Sequence, residues 1–107
     1  MNVLLDEQID WRLRRMFAPE FTVSTVVNEG WSGMRNGALL RAAAERFDVF
    51  VTMDRGLEYQ QNLDTIAIAV VVIAARSNRL VDVQSAMPTL NRLLGTLRPG
   101  KVFRIVA

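Results

Sequence analysis

Eight consecutive apolar residues, Ile66-Ala-Ile-Ala-Val-Val-Val-Ile73, constrain the fold more than any other part of this sequence. A strand that is apolar at every position has no face for water, so it must be covered on both sides, and the elements that cover such strands are helices. The run is predicted to be a central strand of a parallel sheet. Even extended to Ala75 it is ten residues long, too short to span a bilayer. The N-terminus lacks the charged-then-apolar layout of a signal peptide, so a cytoplasmic protein with no membrane segment is expected.

The rest of the chain supplies the covering helices. Asn2–Leu5 is a short apolar run ending on Asp6-Glu7, and Ile9, Leu13, Met16 and Phe17 follow at helical spacing until Pro19. Phe21–Val27 reads as a β-branched strand closed by the turn Asn28-Glu29-Gly30. Leu39, Leu40, Ala43, Ala44 and Phe47 form an amphipathic stripe with Asn36 as its predicted N-cap. A third strand, Val49–Thr52, runs up to Met53-Asp54. Beyond the apolar run, Val81–Leu97 has helical periodicity with Pro88 as a break, and Arg98-Pro-Gly100 turns into a last strand, Val102–Val106. With 107 residues there is room for one domain, residues 1–107. The order β-α-β-α-β-α-β-α-β predicts a three-layer α/β/α domain around a mainly parallel five-stranded sheet.

In such sheets ligands gather at the carboxyl ends of the strands. Those ends read Asp6-Glu7, Asn28-Glu29, Asp54-Arg55 and Arg76-Ser77-Asn78-Arg79. Asp6 and Asp54, each directly after an apolar strand, are the expected metal ligands, because carboxylates held together repel unless a proton or cation lies between them. Oxygen ligands select Mg²⁺ or Mn²⁺, which activate water and stabilise charge on a phosphate. Glu7 and Asn36 are candidate catalytic groups, although a helix N-terminus explains an acid at Glu7 and capping explains Asn36. Glu29 and Glu58 read as solvated turn carboxylates. Arg55, Arg76, Asn78 and Arg79 are the candidate nucleic-acid contacts, with Ser77 or Asn78 equally suited to cap the next helix. Tyr59-Gln-Gln-Asn62 reads as a solvent-facing polar loop, and Trp11 and Trp31 as core or partner-facing aromatics.

Composition narrows the chemistry by exclusion. The chain has no cysteine and no histidine, which removes thiolate and imidazole ligands, Cys nucleophiles and Ser-His triads. A net charge of +2 is weak support for nucleic-acid binding, but 12 of the 13 basic residues are Arg, the side chain whose planar fork suits phosphate.

Val3-Leu-Leu-Asp-Glu7, Glu29-Gly-Trp-Ser-Gly33, Asn36-Gly-Ala-Leu-Leu40, Asp48-Val-Phe-Val-Thr-Met-Asp-Arg55 and Tyr59-Gln-Gln-Asn62 together resemble the DUF5615 family of PIN-like proteins, in order and spacing along nearly the whole chain. The resemblance implies a PIN-like sheet of order 3-2-1-4-5 with acidic residues at its carboxyl edge. It also implies a Mg²⁺-dependent ribonuclease, the toxin-like half of a bacterial toxin–antitoxin pair, acting on RNA and restrained by a small antitoxin protein, with homodimers common in the class. Asp6 and Asp54 match the family's acidic positions. Asn36 and Gly56 stand where many PIN-like relatives carry further acids, so a one-metal site, or a catalytically degenerate binding module, is an alternative. A receiver-like phosphoacceptor domain shares the acidic pattern but needs a lysine after its fifth strand, and the only lysine here, Lys101, precedes it.

Overall fold

Period-two alternation in the strands sends apolar side chains to both faces of one sheet, and the computed structural model, which describes residues 1–57 and 62–107, has helices on each side. The strands are β1 (Asn2–Leu5), β2 (Thr22–Thr25), β3 (Val49–Thr52), β4 (Ala69–Ala74) and β5 (Val102–Val106), all paired in parallel. Val3, Leu5, Val49, Val51, Val71 and Ile73 face a core completed by Leu13, Met87, Leu90 and Leu94. Leu4, Phe50, Val70 and Val72 face the opposite core, completed by Leu39, Leu40, Ala43 and Phe47. The expected three-layer α/β architecture is present. Among the described residues no helix is long and apolar enough to cross a membrane.

The strand order corrects the expectation of 3-2-1-4-5: it is β2-β1-β3-β4-β5. The reason lies in strand polarity. The order 3-2-1-4-5 would put β3 at an edge, yet Val49-Phe-Val-Thr52 is buried at all four positions, whereas Thr22-Val-Ser-Thr25 has none fully buried and suits an edge. β3 therefore takes the middle of the sheet, and the apolar run supplies β4, an interior strand beside it, starting at Ala69 rather than Ile66.

Helix expectations changed in detail. The segment after β1 is a 3-10 helix, Trp11–Met16, capped by the Asp10 side chain. Helix α1 (Asn36–Ala44) has Arg35 as its N-cap, so Asn36 lies within the helix and its side chain is spent elsewhere. After β4, α2 (Leu80–Val83) and α3 (Met87–Leu93) are joined by a 3-10 turn, with Pro88 in the first turn of α3, where its missing N–H costs nothing. Arg79 is the N-cap of α2, not Ser77 or Asn78. Glu58 and Tyr59, Gln60 and Gln61 lie outside the described residues.

Asn91 of α3 ties this helix to the 3-10 segment. Its Oδ1 accepts the Ala18 N–H at 2.9 Å and its Nδ2 donates to the Met16 carbonyl at 2.9 Å. Asn91→Ala is expected to cost about 1–2 kcal/mol in urea unfolding, since two backbone groups lose their partner while water reaches the site. An unchanged midpoint would show that this tie contributes nothing.

Candidate metal centre

The observed order sets β1 beside β3, and the chain leaves these neighbours in opposite directions, from β1 to β2 and from β3 to β4. This switch point is where parallel sheets open a crevice at their carboxyl edge. Asp6 and Asp54 follow these two strands. The Asp6 N–H donates to the Val51 carbonyl at 2.9 Å, so strand pairing itself fixes the base of the Asp6 side chain.

Thr52 joins the two acids. Its side chain, fully buried, continues the alternation of Phe50 and donates its hydroxyl to Asp6 Oδ2 at 2.7 Å. Thr52 Oγ1 in turn accepts the Asp54 N–H at 3.0 Å. Asp6 Oδ1 takes the Glu7 N–H at 2.8 Å. Asp54 Oδ1 takes the Gly56 N–H at 2.9 Å, and Asp54 Oδ2 takes a hydrogen bond from Asn36 Nδ2 at 3.2 Å. Asn36, predicted as a cap, is thus a clamp on Asp54, reaching it from the first turn of α1.

Only 8% of Asp6 is exposed, and that burial raises its pKa above the ordinary carboxyl value. Its hydrogen bonds from Thr52 and Glu7 oppose the rise, and the nearby charges of Glu7 and Asp54 add to it. A cation would remove the penalty. Each of the four carboxylate oxygens accepts one hydrogen bond and retains a lone pair, so the donor set fits a hard cation that keeps most of its water. No group of three or more acidic ligands occurs among the described residues, which makes the centre a sparse one.

Thr52→Val keeps shape and removes the hydroxyl. It is expected to cost about 1–3 kcal/mol, because a buried carboxylate loses a donor and the Asp54 N–H loses an acceptor. Thermal unfolding at pH 7 measures it; a loss under a few tenths of a kcal/mol would mean that water replaces the hydroxyl.

The remaining predicted residues separate into two groups. Glu7, Asn78 and Arg79 line a cleft of about 900 Å³ that reaches Asp6. Asn78 Nδ2 donates to the Gln8 carbonyl at 3.2 Å, closing one wall. Arg55 and Arg76 are exposed but do not line the cleft, nor do Asp54 and Asn36. Glu29 is occupied structurally, accepting from Ser24 Oγ at 2.6 Å and pairing with Arg46, and so stands apart from the centre. Ser77 Oγ accepts the Arg79 N–H and donates to Asp82, ordering the loop before α2. Sequence reasoning passed over Arg12 and Arg14 and read Trp11 as a core or partner-facing aromatic; all three line the cleft from the 3-10 helix. Their signal was present as a polar, Arg-rich face opposite Leu13, directly after the first acidic strand end.

No family model, no curated protein and no solved structure matches the chain.

Proposed function

We propose that the chain is a Mg²⁺- or Mn²⁺-dependent ribonuclease of the PIN-like kind. The observation that carries this reading is the pair Asp6 and Asp54, bridged by Thr52 at the ends of adjoining strands. Asp6 and Asp54 would hold the cation, which supplies charge stabilisation at the phosphate and a more acidic water. Asn36 fixes Asp54 and leaves its own amide oxygen open to a water. Glu7, exposed beside Asp6, orients that water and accepts its proton. The resemblance supports the RNA substrate, pairing with a second copy, and restraint by a small antitoxin protein.

The test is incubation of purified, partner-free chain with single-stranded RNA. Cleavage is expected with Mg²⁺ or Mn²⁺ and is expected to stop with EDTA. RNA left intact in both metals, with Asp54→Asn indistinguishable from the native chain, sinks the proposal. Cation binding has its own readout. At a hundredfold excess over Kd, Mg²⁺ should stabilise the fold by about 2.7 kcal/mol, seen as a higher Tm that Asp54→Asn abolishes. A Tm indifferent to Mg²⁺ favours a degenerate binding module instead.

The strand order favours a second reading, since receiver domains share 2-1-3-4-5 and bear their phosphoacceptor after β3. Against it, Lys101 precedes β5, at the edge opposite Asp54. Labelling of Asp54 by acetyl phosphate would decide for that class.

A further inference from the structure

The cleft beside Asp6 is lined by groups of both charges. Asp6 and Glu7 are its free acids; Asp10 is neutralised by Arg12, whose Nη2 sits 2.6 Å from Asp10 Oδ2. Arg14 and Arg79 line the same cleft, and among the described residues neither has a carboxylate partner. Arg14 is not loose. Its guanidinium lies 5.2 Å from the centre of the Trp11 ring, and Arg15 lies 5.3 Å from it, so the indole is a fixed platform for cations. Trp11 itself is 50% exposed, so part of the indole is open to the cleft it lines. Arg79 approaches from the loop after β4, next to Asn78, whose bond to Gln8 holds that loop against the segment after β1.

Resting on the ribonuclease reading, we propose that this cleft is the track for single-stranded RNA, with Arg14 and Arg79 binding the phosphates that flank the nucleotide placed over Asp6. Trp11 positions Arg14 and offers its exposed edge to the adjoining base. The two guanidiniums attract the backbone, while the carboxylates repel it unless a cation intervenes. Paired RNA, with its bases stacked inward, gains nothing from Trp11.

The experiment separates binding from cleavage. A fluorescein-labelled single-stranded RNA of mixed sequence is titrated with the full chain in EDTA, and anisotropy is read across a series of salt concentrations. Arg14→Gln and Arg79→Gln are each expected to weaken binding about tenfold. Each should also flatten the slope of log K against log salt by about 0.7, the share of one phosphate contact on a single strand. Trp11→Ala should weaken binding by a similar factor. Arg98→Gln, in the turn before β5 at the opposite edge, should change neither quantity. Equal effects from Arg98→Gln, native binding by the cleft variants, or equal affinity for a duplex of the same sequence would overturn the proposal. RNA that binds this way but is never cut in Mg²⁺ or Mn²⁺ defeats the ribonuclease reading alone. RNA that is cut normally by the cleft variants defeats this inference alone.

Discussion

Under the ribonuclease reading, Asp6→Asn is expected to lower RNA cleavage by at least about a hundredfold; whatever the activity, it is expected to make the metal-free protein harder to melt at neutral pH. Both effects come from one buried carboxylate. Burial raises the folded-state pKa of Asp6, so between its unfolded and folded values the native chain binds the extra proton. Its contribution to stability is then complete below the unfolded value near 3.8, and it is lost as pH rises through the folded one. An amide carries no charge to desolvate. Its oxygen can still accept the Glu7 N–H, and its NH₂ can donate to Thr52 Oγ1, whose second lone pair is available. Melting curves from pH 3 to pH 8, with single-turnover cleavage on the same samples, measure the two effects. A variant that melts below the native chain at pH 7 without metal would show that the hydrogen bonds to the carboxylate outweigh its burial.

Phe50→Ala should have the largest effect on stability, about 3–5 kcal/mol in urea unfolding. Phe50 is fully buried in the middle strand, and its ring shares the core of the α1 face with Leu40, Phe47 and Leu57. Whole domains are held by about 5–15 kcal/mol, so this one truncation removes a large share. The ring also lies two residues before Thr52, and a cavity there loosens the strand that carries the bridge between the acids. A loss under about 1 kcal/mol would mean that α1 settles into the space.

Much of this was readable beforehand. Strands β3 and β5 fall where the sequence places them, because their apolar runs are bounded by Asp48 and Asp54 on one side and by Pro99-Gly100 on the other. Asp6 and Asp54 were legible as strand ends for the same reason. The strand order was misread because a family expectation was weighed above the polarity of Thr22–Thr25 and the burial demanded by Val49–Thr52. Asn36 was misread because capping and clamping use the same amide, and only the approach of α1 to β3 distinguishes them. Thr52 stood in the Asp48–Arg55 motif with no role of its own. A threonine in a strand is ordinary, and its value comes from a register that pairs Val51 with Leu5. The cleft was missed because Trp11 reads as a core or partner-facing aromatic and Arg14 has no motif of its own, and only the fold brings the loop holding Asn78 against the segment after β1.

The bond between Thr52 and Asp6 spans 46 residues of sequence, and it forms only when β3 docks beside β1 in parallel. Such pairings are slow, because a long loop must close before any contact repays its entropy. A chain still emerging during synthesis, or one partly opened afterwards, therefore carries both acids but no centre. Under the ribonuclease reading, hydrolytic power would arrive late in folding and leave early in unfolding, which confines it to the fully assembled protein.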